Sequence, residues 1–392
     1  MKSTPINFAI LEDRVGNRHA NMAVGQFKRS FDSDSLNNLG RACGFCRRER
    51  QVTPFRLALA LVSCFAAGQA RYIADVVRAF NALAGTRVRY KPFHNQLSKR
   101  QFPTFMRLLV SRLLEQLAHE VLHFDAHSPF ARFERIHIQD GTSFAVKSQL
   151  RSVYPGRFTK VSPAAVELHV DFDLFSEMAN TITLTPDSAS ERHCLPEPET
   201  LNGALLLADR GYFCTWRLRA IGQAGGYFIV RGASNLNPRI ITARRLDGTE
   251  LESLSGVHLK QARKALSRHG QLDFDVEFAQ KGTKWRCRVV ARADTNDGKP
   301  CYLVSNLARE EFSAAQVSDA YRLRWQIELL FKEWKSYANL RAFDTANAHI
   351  AEGLIWAALC TAIVKRFCAH AAERVHGLAL STQTTAKCIH MH

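Results

Sequence analysis

The chain has 392 residues, 46% of them hydrophobic, and a formal net charge of +17, with an isoelectric point near 9.7. That length allows two or three domains, and that apolar content excludes global disorder. The cationic excess favours a polyanionic partner, nucleic acid ahead of a membrane surface.

In chain order, the N-terminal "MKSTPINFAILEDR" carries acids where a signal peptide needs its apolar core, so a cytoplasmic location is expected. Residues 1–130 read as a helical N-terminal domain. "TPFRLALALVSCFAAG" (53–68), "RYIADVVRAFNALAG" (71–85) and "FPTFMRLLVSRLLEQLAHEVL" (102–122) are separated by Gly, Pro and basic residues. Short helices joined by tight turns suit a helix-turn-helix DNA-binding module, and equally a plain helical domain with a basic surface. Cys43 and Cys46 form a lone C-x-x-C. A structural zinc site needs a second pair, and the ten cysteines of the chain read as reduced core residues.

From residue 133 the apolar period shortens to that of strands. "FERIHIQ" (133–139), "AVELHVDFDL" (165–174), "ANTITLT" (179–185), "ALLLAD" (204–209) and "YFIVRG" (227–232) read as strands, with a helix over 214–223. A more basic β-rich stretch follows, with strands at 272–279, 284–293 and 301–307 and a basic helix-like segment, "HLKQARKALSRHG", at 258–270. A helix is expected over about 314–336. Ser313 and Gln316 have capping-box spacing, and Phe312 and Val317 have hydrophobic-staple spacing. A last long helix covers about 347–370. Its apolar run "LIWAALCTAIV" (354–364) is shorter than a membrane span requires. The tail "STQTTAKCIHMH" shows no closing helix, and Cys388, His390 and His392 are a weak metal pattern within it. Strands of an α/β core thus occupy 131–232, its helices 311–375, a separate β-rich insertion 233–310 and a tail 376–392.

The helix over 314–336 carries two stripes. Leu323, Ile327, Leu330 and Trp334 form an apolar one. Tyr321, Arg324, Glu328 and Lys335 form a polar one, roughly 120° away. An ordinary solvated flank with an Arg324–Glu328 pair explains the second stripe on helix geometry alone. Two further carboxylates change that reading. Asp140 in "IHIQDGTSF" and Asp209 in "LLLADRGYF" each end a predicted strand and are followed closely by glycine. "LLLA" is apolar on both faces, which places its strand centrally. An Asp at a strand end is also a common turn-starter. Convergence of Asp140, Asp209 and Glu328 gives an all-oxygen site suited to Mg²⁺, with Mn²⁺ as a substitute. Two such ions about 3.5–4 Å apart activate a nucleophile and stabilise the leaving oxygen of a phosphodiester.

The residues "QDGTS" around Asp140, "ADRGY" around Asp209, and Tyr321, Arg324, Glu328 and Lys335 in the pattern Y-x₂-R-x₃-E-x₆-K resemble the DDE transposases of the insertion-sequence-four family. The resemblance covers about 130–370. It implies a ribonuclease-H-like core interrupted by a β-rich insertion between the second Asp and the Glu. It implies a cut-and-paste reaction on terminal inverted repeats, a 3′-OH that attacks the opposite strand to form a hairpin, and joining to target DNA. It further implies a homodimer pairing two ends, with Tyr321, Arg324 and Lys335 contacting end DNA. Arg210 is carried with them as a DNA contact. Trp285, between Lys284 and Arg286, is the candidate for stacking on a flipped base, against a core role on a strand. The tail departs from the resemblance, because family members often continue further. Two other readings stay open: an inert DNA-binding derivative of such an enzyme, and a different ribonuclease-H-like nuclease such as a resolvase.

Overall fold

The computed structural model describes residues 31–48, 50–70, 72–117, 130–174, 178–233, 235–280, 282–293, 300–337 and 344–376. Its centre is one mixed sheet of nine strands. These are β1 (Ile136–Ala145), β2 (Ala165–Asp173), β3 (Met178–Pro186), β4 (Leu205–Ala208), β5 (Tyr227–Arg231), β6 (Arg239–Arg244), β7 (Gln271–Gln280), β8 (Thr283–Ala293) and β9 (Pro300–Ser305), in the order β3-β2-β1-β4-β5-β9-β8-β7-β6. Strands β1, β2 and β3 are antiparallel, while β4 runs parallel to both β1 and β5. The stretch expected as a separate insertion continues this sheet, because β9 pairs antiparallel with β5.

The helices are α1 (Ser33–Ala42), α2 (Pro54–Ala66), α3 (Ile73–Ala84), α4 (Tyr90–Leu97), α5 (Gln101–Leu117), α6 (Thr215–Gln223), α7 (Arg263–His269), α8 (Ala314–Arg322), α9 (Trp325–Tyr337) and α10 (Ala348–His376). Alternation along the strands divides the interior into two cores. Ile136 and Ile138 of β1, Val166, Leu168 and Val170 of β2, and Leu205 and Leu207 of β4 face α1–α5 and α8–α10. Leu206 and Ala208 of β4 face the opposite way, into a core shared with Phe228, Leu218 of α6, and Val276 and Val289 of the far strands. All four residues of β4 are buried, as its doubly apolar sequence requires of a central strand.

Helix α10 lies against α2 and α5. At their crossing a Cβ on Gly353 would stand 2.1 Å from the Phe102 ring, so only glycine permits the approach. By length and composition the Ala348–Cys368 part of α10 could cross a membrane, and the run is longer than the sequence reading allowed. Its burial between helices and sheet accounts for the apolarity, as in the core helix of a globular fold.

Three other expectations change. The helix over 314–336 is two helices, with Leu323 and Arg324 forming a turn between them. Leu323 N–H bonds the Ala320 carbonyl and Arg324 N–H bonds the Tyr321 carbonyl, which tightens the end of α8 into three-residue bonds. The capping box and the buried Phe312 and Val317 hold its start as expected. Strand β1 does not end at Asp140 but runs on to Ala145, with Asp140 paired to Val170. Strand β6 and helices α1 and α4 have no counterpart in the sequence reading. Cys43 and Cys46 are free thiols, with the Cys46 sulfur directed at the Arg48 carbonyl (3.2 Å). Cys388, His390 and His392 lie outside the described residues.

Candidate active site

The parallel register assembles the site. β1 and β4 pair from Ile136–Leu205 to Gln139–Ala208, and β4 and β5 pair from Leu205–Tyr227 to Ala208–Val230. One step further along each strand come Asp140, Asp209 and Arg231, side by side across the sheet. Arg231 Nη1 stands 3.8 Å from Asp209 Oδ1. Ala208 is followed by a 3₁₀ turn over Arg210–Tyr212, with Asp209 in extended backbone at its start. The break before α9 then places Glu328 in the first turn of that helix, facing the strand ends. Asp140, Asp209 and Glu328 line one open cleft of about 500 Å³, together with Arg324, Lys332 and Lys335.

Arg324 stands among the acids. One guanidinium nitrogen donates to Asp140 Oδ2, and the other donates to Glu328 Oε1 at 2.6 Å. Its Nε is buried without a hydrogen-bond acceptor. The Tyr321 hydroxyl donates to Asp209 Oδ1 at 3.0 Å. Burial, with Asp209 beside it, holds that phenol well above its usual range, so it stays a proton donor. Asp140 also accepts the Gly141 N–H at 2.8 Å. Burial pushes the Asp140 carboxyl up to about 6; Arg324 and the Gly141 N–H pull the other way, while Asp209 and Glu328 add repulsion. Asp140 therefore feels both other acids, which is the electrostatic mark of a shared site.

The structure brings together five of the eight residues singled out in the sequence: Asp140, Asp209, Arg324, Glu328 and Lys335 in the cleft lining. Tyr321 joins them through Asp209. Arg210 is exposed on the turn after Asp209. Trp285 is elsewhere: it is half-buried in the second core, stacked on Phe278 at 5.4 Å between centroids and 6.1 Å from Phe228. Its packing fits the alternative of a core tryptophan. The sequence reading missed Lys332, Arg231 and Trp325. Lys332 stands one helical turn beyond Glu328, and Arg231 needed the strand register. Trp325 is 60% exposed at the start of α9, a large apolar side chain outside the core stripe.

The donor chemistry fits a hard divalent cation, because carboxylate oxygens are the only side-chain ligands that the acids offer. In the present arrangement Arg324 supplies the positive charge between Asp140 and Glu328. Among the described residues, no three His, Cys, Asp or Glu side chains stand close enough to cage a metal ion. The three acids share the cleft, with Arg324 paired to two of them.

The mixed sheet thus presents one carboxylate from within β1, one from the end of β4 and a third from a helix to a single cleft. The chain belongs to the transposase DDE domain family, whose sequence model matches residues 131–364. It is similar to the transposase of insertion sequence element IS231F from Bacillus thuringiensis subsp. israelensis, at 23% identity over 80% of this chain and 72% of that one. The IS231E transposase of B. thuringiensis subsp. finitimus is 24% identical over 83% of this chain and 76% of its own. A 77-residue stretch, 20% of this chain and 21% of its counterpart, is 45% identical to the putative transposase InsL of insertion sequence element IS186A from Escherichia coli K12. The sequence resemblance to insertion-sequence DDE transposases therefore holds.

Proposed function

We propose that the protein is a cut-and-paste DNA transposase in which Asp140, Asp209 and Glu328 hold two Mg²⁺ ions, with Mn²⁺ able to replace them. The observation that carries the reading is the single cleft that the three acids share with Arg324, Lys332 and Lys335. In this reading β1–β5 are the strands of a ribonuclease-H-like core, β6–β9 are its insertion, and helices α1–α5 add a DNA-binding region. The bound ions supply an activated nucleophile and neutralise charge on the phosphodiester being broken. The chain's own residues do the rest. Lys332 and Lys335 lie along α9 on the cleft side and bind phosphates of the transposon end. Arg324 leaves the acids for a phosphate, which removes the resident charge and frees Asp140 and Glu328. The Tyr321 hydroxyl holds one Asp209 oxygen and so orients the carboxylate. Trp325, exposed one turn before Glu328, offers an aromatic face to a base where Trp285 does not. Cleavage releases a 3′-OH, which attacks the opposite strand to give a hairpin and, after reopening, joins target DNA. Two copies of the chain pair the terminal inverted repeats, in the cytoplasm at the nucleoid.

The test is cleavage of a duplex carrying the terminal repeats, in Mg²⁺ and in Mn²⁺. Asp140→Asn, Asp209→Asn and Glu328→Gln should each abolish cleavage while leaving end binding intact. Cleavage at the wild-type rate by any of the three would remove that residue from the site. A second reading, an inert DNA-binding derivative, is favoured by one observation: Arg324 already satisfies two of the acids. It requires salt-sensitive end binding with no strand breakage in either metal.

A further inference from the structure

Two glycines flank the candidate aspartates, and both are crowded by carboxylates. A Cβ on Gly141 would stand 2.9 Å from Glu167 Oε1, 3.1 Å from the Tyr212 hydroxyl and 3.3 Å from His169 Nδ1. A Cβ on Gly211 would stand 1.5 Å from Glu191 Oε2, inside covalent contact. Neither glycine has a positive φ, so the space, not the backbone conformation, requires it. The space behind each aspartate is thus filled by a glutamate from another element.

One guanidinium holds both glutamates. Arg157 Nη2 donates to Glu167 Oε2 at 3.2 Å and to Glu191 Oε1 at 3.0 Å. Its own backbone is fixed: Arg157 N–H donates to Asp187 Oδ2 at 2.7 Å, and Nε donates to the Asp187 carbonyl at 3.2 Å. The other Asp187 oxygen accepts from Ser143, three residues after Asp140 on β1. A neutral His169 completes the connection between strands. Its Nδ1 shares a hydrogen bond with the Tyr212 hydroxyl (2.8 Å) and its Nε2 with the Thr185 hydroxyl (3.0 Å), while burial, with Arg157 nearby, lowers its pKa to about 4. Tyr212 closes the turn that begins at Asp209, its N–H bonding the Asp209 carbonyl at 3.1 Å. None of these groups lines the cleft. They lie on the opposite face of the sheet.

We propose that Arg157 is a positioning residue that sets the separation of Asp140 and Asp209 by clamping Glu167 behind Gly141 and Glu191 over Gly211. The inference rests on the transposase reading of the cleft and adds a residue to it. Cleavage geometry is sensitive to displacements of about 1 Å, which cost on the order of 100-fold in rate. Loss of the clamp leaves two buried or half-buried carboxylates without their shared cation, and they move apart.

The experiment uses the full chain and a duplex carrying the terminal repeats. Single-turnover cleavage, end affinity by gel shift, and Mn²⁺ affinity of the protein–end complex by electron paramagnetic resonance are measured together. Arg157→Gln is expected to cleave about 100-fold more slowly. Its Mn²⁺ affinity should be weaker and its end affinity unchanged, with Arg157→Lys restoring part of the rate. Should Arg157→Gln fail to fold, Gly211→Ala supplies the reading. That variant is expected to be slow, because its methyl group displaces Glu191 from the clamp, and Glu191→Gln in the otherwise wild-type chain should slow cleavage in the same way. Wild-type rate and Mn²⁺ affinity for Arg157→Gln, or wild-type rate for both Gly211→Ala and Glu191→Gln, overturns the proposal. A loss of end affinity at unchanged Mn²⁺ affinity overturns it too, and makes Arg157 a DNA contact. Asp140→Asn separates the two levels: if it also cleaves normally, the reading of the cleft fails as well.

Discussion

Two clusters of arginine and carboxylate sit on different strands of the same sheet and are built differently. At the far strands, Arg288 is fully buried and bidentate to Asp273 at 2.9 and 2.8 Å. Its remaining nitrogen donates to the Phe312 carbonyl at 2.7 Å. Arg309 bonds both Asp273 and Asp275, and Thr242 donates to Asp275. Every acid there meets at least one guanidinium in close geometry, and the cluster ties β7 and β8 to the segment that enters α8. In the cleft a single guanidinium, Arg324, serves Asp140 and Glu328 at once, its Nε has no acceptor, and Asp140 stays pushed up to about 6. A saturated cluster under the surface holds the fold. A sparsely compensated one facing an open cleft is poised to take up charge from outside.

The contrast is broken or sharpened by substitution, and the largest effects come first. Asp140→Asn should remove all measurable end cleavage without lowering the melting temperature, because it deletes a carboxyl that burial already disfavours as an anion. Arg288→Ala should do the reverse, destabilising the chain by about 3 kcal/mol in urea unfolding, since it removes the buried bidentate partner of Asp273 and leaves only Arg309 to it. If Asp140→Asn instead lowers stability as much as Arg288→Ala, the two clusters are of one kind. Next in size, Arg324→Gln should raise the Mn²⁺ affinity of the DNA-free protein by about tenfold or more, because one resident positive charge near the acids is removed. Calorimetric titration reads it, and an unchanged affinity would mean that Arg324 does not compete with the ions.

A pH effect follows from Asp140. Its folded value, about 6, lies above the ordinary 3.8, so the metal-free fold binds that proton more tightly than the unfolded chain does. The stability from this group is full below about pH 4 and is lost as pH rises through about 6. Urea unfolding of wild type and Asp140→Asn across that window should therefore diverge, with the wild type losing ground. Because only the ionised carboxylate can bind a cation, Mn²⁺ affinity should fall as pH drops below about 6. The smallest effect is on Lys335→Ala, which should reduce the salt dependence of end binding by about one phosphate contact.

Much of this site is legible in the sequence, and for identifiable reasons. The capping box at Ser313, the apolar stripe through Ile327, Leu330 and Trp334, and the doubly apolar β4 are local patterns, and the structure holds them. The spacing from Tyr321 to Lys335 survives the break at Leu323: Arg324, Glu328 and Lys335 line the cleft and Tyr321 meets Asp209. The break itself was hidden, since the sequence there carries neither Gly nor Pro, and the partner that Arg324 meets at the break, Asp140, lies 184 positions away. Arg231 was hidden for a similar reason, because only the parallel register aligns it with Asp209. Trp285 stayed open between two roles in the sequence because basic neighbours on a strand say nothing about the ring, which stacks on Phe278. The glycines of "QDGTS" and "ADRGY" read as turn-formers, whereas the structure assigns them to close approach by glutamates far away in the chain.

The central claim is that three acids, from two neighbouring strands and one helix, hold the cations that break and rejoin DNA. Anomalous diffraction from Mn²⁺ in crystals of the protein bound to its terminal-repeat duplex tests it most directly. The expected result is manganese density bounded by Asp140, Asp209 and Glu328, with Arg324 turned to a phosphate and the density lost in Asp140→Asn. Manganese bound elsewhere, or Arg324 still seated between Asp140 and Glu328 with DNA in place, would contradict it.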